Sequence, residues 1–152
     1  LIINLEKLYL SLKKLELKNS PIDEYYKLSH ELGIPQKNMN ELQNKLFGIE
    51  CNFEELNGID FQKGCYIGQE NTARIKLKNK LSKRLLPIDL IEGELNQGDL
   101  IYNGEFEVGK VLINNQYPFA LIKYLDEHFV RGVVFKCKDA KLKIKKPDWI
   151  KE

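Results

Sequence analysis

Leucines at positions 5, 8, 12 and 15 recur at three- and four-residue spacing. They predict an amphipathic helix over residues 4–17 whose apolar side packs into a scaffold. A second helix is better punctuated. Ser20 is placed to cap it, Pro21 to open its first turn, and Asp23 and Glu24 to load the positive end of its dipole. Gly33 stops it and Pro35 follows. Tyr25, Leu28 and Leu32 line its predicted buried face, and His30 lies off that face with no role. Residues 40–47 predict a short helix ended by Gly48, and residues 71–77 another.

Beyond Lys78-Asn79-Lys80 the period turns from helical to strand-like. The apolar pair Leu85-Leu86 lies in 81–90 and is ended by Pro87; Gly93 and Gly98-Asp99 mark turns before the short strand Leu100-Ile101-Tyr102. Asn103-Gly104 signals a hairpin into 106–113. Asn114-Asn115 turns the chain into 119–125, and 129–135 and 141–145 follow. Five or six short strands at this spacing predict a small antiparallel barrel or sandwich. Every second residue of 141–145 is charged, as in an edge or one-sided strand. Trp149 is expected to pack the C-terminus onto the barrel. The predicted fold class is α+β, with a helical part over 1–78 and an antiparallel β-barrel over 79–152.

Hydrophobic residues at 43% and charged residues at 30% fit a globular chain. No apolar run approaches the ~20 residues that span a bilayer. Residues 1–5 lack the basic start and cleavage site of a signal peptide, and also an initiator methionine, so the chain reads as the C-terminal part of a longer protein. Cys51, Cys65 and Cys137 are widely spaced, with no Cys-x-x-Cys pair and no nearby His. A zinc site is therefore not expected, and a reduced compartment is. The formal charge is only +2, but within 61–86 Lys63, Arg74, Lys76, Lys78, Lys80, Lys83 and Arg84 stand against the single acid Glu70. Such a strip attracts anions: a polyglutamate tail, nucleic acid or an acidic partner face.

The chemistry concentrates in residues 61–74. Gly64 and Gly68 bracket Cys65-Tyr66, Lys63 precedes them, and Gln69-Glu70 leads into a helix. A nearby lysine and a helix start both favour a thiolate, the nucleophilic and metal-binding form of cysteine. Lys63-Gly64-Cys65-Tyr66-Ile67-Gly68-Gln69-Glu70, followed by Ala73-Arg74, resembles the signature of the YgfZ family of folate-binding proteins. These are relatives of the glycine-cleavage aminomethyltransferase that support iron–sulfur cluster assembly. The resemblance covers about 22–135 and is most specific over 58–74.

The resemblance implies that 1–78 is the remnant of a folate-binding domain, with tetrahydrofolate as cofactor. It implies an accessory factor for iron–sulfur cluster assembly or repair, with folate and iron–sulfur client or assembly proteins as partners and neither membrane nor nucleic acid. The expected compartment is the cytoplasm, or the mitochondrial matrix in a eukaryote. Glu50 stands where the family's pterin-binding carboxylate falls, with Glu54 and Glu55 as competitors; a carboxylate accepts two parallel hydrogen bonds from the pterin's N–H edge. Tyr66, Gln69, Glu70 and Arg74 complete the cofactor-facing set, Gln69 and Glu70 chiefly by fixing the loop, while Cys65 and Lys63 supply the reactive thiol and its cation. One cysteine cannot hold a stable cluster, so Cys65 is a transient or shared ligand. Two other readings compete. A one-carbon-transferring aminomethyltransferase needs a carboxylate to orient the amine, and no Asp is convincingly placed for it. An RNA-binding module on the strip 63–84 needs interleaved aromatics, and only Phe61 and Tyr66 occur in 61–86.

Overall fold

The computed structural model describes residues 5–15, 19–64, 69–77 and 81–150. The expected barrel is there. Strands β1 (Lys83–Glu92), β2 (Leu100–Asn103), β3 (Phe106–Ile113), β4 (Phe119–Lys123), β5 (Phe135–Cys137) and β6 (Ala140–Ile144) form a closed antiparallel barrel in the order β1-β4-β3-β2-β5-β6. Leu86, Ile88, Ile101, Val111, Phe135 and Leu142 fill its interior. In β6, Leu142 points inward while Lys141 and Lys143 face solvent. That strand pairs with β1 on one side and β5 on the other, so it is one-sided and not an edge.

Pro87 does not end β1. The first half of the strand pairs with β4 as far as Pro87↔Phe119, and the second half pairs with β6 from Ile88↔Ile144. Proline sits at the changeover, where a missing N–H disrupts neither ladder. Its carbonyl still accepts from the Lys145 amide at 2.9 Å. The β2–β3 hairpin forms, but Asn103 pairs with Phe106, so the loop is Gly104-Glu105, one residue later than expected. Of the expected strand over 129–135 only Phe135 is in a strand, β5, which runs on to Cys137. Turns anchored on Asp126 precede it, and Phe129 and Val133 pack against the barrel core instead of alternating in a ladder.

The helical part departs further from expectation. Helix α1 (Leu5–Lys14) leaves Leu8, Leu12 and Leu15 exposed, so its apolar side does not pack into the scaffold. Helix α2 (Ile22–Glu31) buries Ser29 and His30 and leaves Tyr25, Leu28 and Leu32 exposed, the reverse of the prediction. The barrel explains this. The Pro118 carbonyl before β4 lies 3.1 Å from His30 Nε2, and the imidazole packs against Tyr117 and Phe119. The Pro118 carbonyl also accepts from the Ile88 amide at 3.1 Å, so the imidazole is its second polar contact. Pro21 occupies the N-cap, one position earlier than predicted, and no side chain caps the helix; the Ser20 hydroxyl bonds the Glu24 carboxylate. Gly33 adopts φ +72°, where a Cβ would also meet the Pro147 ring, and the Trp149 indole donates to Leu32 O at 2.7 Å. Those contacts tie the C-terminal segment down, as expected of Trp149.

The predicted helix over 40–47 shrinks to a 3₁₀ turn, Met39–Leu42. Asn38, Asn44, Asn52 and Asn57 take φ of 62°, 60°, 62° and 57°. Asparagine tolerates the left-handed region through local hydrogen bonding, and a left-handed residue every few positions forbids a continuous helix. Helix α3 (Gln69–Leu77) contains the expected 71–77 and opens at the Gln69-Glu70 step that leads into it.

Candidate functional site

The chain from Phe47 to Gln62 leads into the signature and is fixed to β1 by polar contacts. Glu50 O accepts from the Leu85 amide at 2.8 Å, and Asn52 Nδ2 donates to the Leu85 carbonyl at 2.8 Å. Asn52, only 1% exposed, also accepts from Arg84 Nη1 at 2.9 Å, and the same guanidinium pairs with Glu55 Oε1 at 2.6 Å. Beneath this network Cys51 packs with Leu42, Leu85, Ile113 and Phe119. Burial, and then the neighbouring Glu50 charge, push the Cys51 thiol up to about 11, so it stays protonated and inert. Burial likewise raises Cys137. Both behave as the small buried hydrophobes the sequence suggested.

Glu50 is half-buried, and its Oε2 accepts from the Phe47 amide at 3.0 Å within its own turn. Glu55 Oε2 is a buried carboxylate oxygen with no partner among the described residues. Glu54 forms an ion pair with Lys76, whose ammonium also lies 5.2 Å from the Phe61 ring centroid. This links α3 to the segment before the signature. Glu54, Asn57, Ile59, Asp60, Phe61 and Gln62 line an open hollow of about 360 Å³, and Lys63 and Gly64 leave it exposed to solvent.

Cys65 and Tyr66 lie outside the described residues, as does the loop that Arg74 was expected to face. Gln69 opens α3, and Glu70 and Arg74 are exposed on it. The structure thus joins Glu54, Lys76 and Phe61 to one another, and ties Glu50 and Glu55 to Leu85 and Arg84 at the start of β1. Asn52 was given no role from the sequence, and Arg84 was read only as part of the basic strip. The available signal was charge pattern: an arginine entering an apolar strand, with the acidic pair Glu54-Glu55 upstream. Lys76 and Arg84 of the basic strip are both held in ion pairs with those acids, which leaves less of its charge for a polyanion.

A larger cleft of about 570 Å³ separates α2 from the barrel, lined in part by Asp23, Lys27, His30, Asp89, Tyr117 and Lys145. Tyr117 donates to Asp23 Oδ2 at 2.8 Å, and Lys145 pairs with Asp89 at 2.9 Å. Burial lowers the His30 pKa below 6.5, against the raising effect of the Pro118 carbonyl. Among the described residues no cluster of His, Cys, Asp and Glu forms a metal site, and no helix is long and apolar enough to cross a membrane.

No family model matches the chain. It is similar to iron–sulfur cluster assembly factors. The mitochondrial IBA57 homolog of Dictyostelium discoideum is 40% identical over 77 residues, 51% of this chain and 18% of that protein. Its Neurospora crassa counterpart is 40% identical over 68 residues, 45% of this chain and 16% of that protein. The mitochondrial IBA57 of Mus musculus is 39% identical over 74 residues, 49% and 20%. The matched stretch spans at most a fifth of these three relatives' length. The cluster-assembly side of the expectation gains independent support here, and the folate side rests on the signature.

Proposed function

We propose that this chain belongs to a tetrahydrofolate-binding accessory factor for iron–sulfur cluster assembly or repair, working in the mitochondrial matrix beside assembly proteins and their clients. The observation that carries this reading is the similarity, over about half the chain, to factors named for cluster assembly. In this proposal residues 1–78 close the folate-binding domain of a longer protein, and 79–152 form its barrel. Glu50 takes the pterin N–H edge. Glu55 Oε2, buried and without a partner among the described residues, is the second acceptor suited to such a donor. Cys65, with Lys63 two residues before it and the start of α3 after it, is the thiolate that meets cluster or client transiently.

Fluorescence titration of tetrahydrofolate into the protein and its Glu50→Ala variant tests the folate half. A dissociation constant raised about tenfold or more, roughly 1.4 kcal/mol, is expected; an unchanged constant, or no binding to either, rejects it. Restoration of iron–sulfur enzyme activity in cells lacking their own assembly factor tests the other half separately, and no restoration rejects that.

A further inference from the structure

The cleft between α2 and the barrel has no part in the function proposed above. Its volume of about 570 Å³ falls within the roughly 300–1,000 Å³ of small-molecule sites. The α2 wall carries Asp23, Lys27, His30 and Glu31, and the barrel wall is apolar at Ile88, Leu90 and Pro118. Most of the polar groups are engaged with one another. Asp23 accepts from the Tyr117 hydroxyl at 2.8 Å and from Gln116 Nε2 at 3.3 Å. Asp89 pairs with Lys145 at 2.9 Å, and His30 Nε2 lies 3.1 Å from the Pro118 carbonyl.

Two donors stand apart. Lys27 has neither ion pair nor hydrogen bond among the described residues. Asn115 Oδ1 accepts from the Tyr117 amide at 2.6 Å, while its Nδ2 is buried with no partner among the described residues. A buried donor left this way costs stability until an acceptor meets it. The Tyr117–Asp23 bond brings the two donors to one end of the cleft: Lys27 is one helical turn beyond Asp23, and Asn115 is two residues before Tyr117.

We infer that the cleft binds a small amphiphilic anion, a carboxylate or a phosphate ester, whose oxygens meet Lys27 and Asn115 Nδ2 while its apolar body covers Leu90 and Pro118. A cation would find Asp23 and Asp89 already supplied with donors, leaving only Glu31 at the far end of α2, and Asn115 would stay unpaired. A bare inorganic anion would leave Leu90, 43% exposed, in water.

Amide NMR titrations of the 152-residue chain test this, with hexanoate, hexyl phosphate, hexylammonium and inorganic phosphate as probes. Saturable shifts at Lys27 and at the Asn115 side-chain amide are expected with hexanoate, hexyl phosphate or both, and the tighter of the two identifies the head group. Lys27→Gln, at an exposed position, should weaken that probe about threefold or more. Asn115→Asp keeps the acceptor for the Tyr117 amide but replaces the donor by a carboxylate oxygen, and should weaken it about tenfold or more with barrel amides unmoved. Glu31→Gln should leave the affinity equal or higher. Four results would each overturn the proposal: no saturable shift from either amphiphilic anion, hexylammonium binding as tightly as they do, inorganic phosphate matching hexyl phosphate, or an affinity unchanged in Lys27→Gln. Lys27→Gln decides alone should Asn115→Asp unsettle the turn.

Discussion

The barrel and the stretch from Asn38 to Gln62 pack against each other but hold their shapes by different means. The barrel has a closed ladder and a dry interior in which Leu86, Ile88, Ile101 and Leu142 are fully buried. The stretch has one short 3₁₀ turn and asparagines in the left-handed region; Leu42, Ile49 and Cys51 are buried, its turns bond internally, and Arg84 and Leu85 of β1 hold it by polar contacts. The lesson is one of dependence. The ladder pairs backbone across distant stretches of chain, whereas the segment bearing Glu50 bonds mostly within its own short turns and is tied to the ladder through Leu85 and Arg84.

That contrast can be broken where it is strongest. Phe135→Ala removes the largest fully buried side chain and should cost about 3–5 kcal/mol in urea unfolding, with barrel and segment lost together. Asn52→Ala should cost about 1–3 kcal/mol, because the Leu85 carbonyl and the Arg84 guanidinium lose a buried partner. Limited proteolysis would then cut within 38–62 while the barrel stays intact; barrel unfolding in step with the segment would erase the distinction.

A smaller effect follows from His30. Its folded pKa is lowered below 6.5 by burial, opposed by Pro118 O and Asp89 and assisted by Lys145. The unfolded chain therefore binds more protons below pH 6.5, and stability present above that value is lost as pH falls through it toward the folded pKa. The urea midpoint of the wild type should drop between pH 7.5 and pH 5.5 by more than that of His30→Gln, and equal drops would dismiss the imidazole as the cause. The last comparison changes reactivity without changing stability. Iodoacetamide at neutral pH should label Cys65 ahead of Cys51 and Cys137, both raised by burial, and equal rates for the three would remove the activated thiol.

Most of the barrel was legible because a strand's two-residue alternation is local and six such runs leave few ways to close. The errors there concern punctuation. Pro87 reads as a stop only when a strand has one neighbour, and Phe129 and Val133 look like strand residues when they plug the core. The site was half legible. Glu50, Glu54, Glu55 and Lys63 were named from the sequence, but the pairing of Asn52 with Arg84 was not, because it acts across about thirty positions of chain.

From residue order alone came the α+β division, the strand count, the inert character of Cys51 and Cys137, and the signature around Cys65. Only the assembled molecule decided which side of α2 turns inward, where β1 changes neighbours, and which backbone groups anchor the segment before the signature. Periodicity records what a stretch is able to bury. What it does bury depends on the rings and polar groups that distant strands present to it, and those are in place only once the barrel has closed.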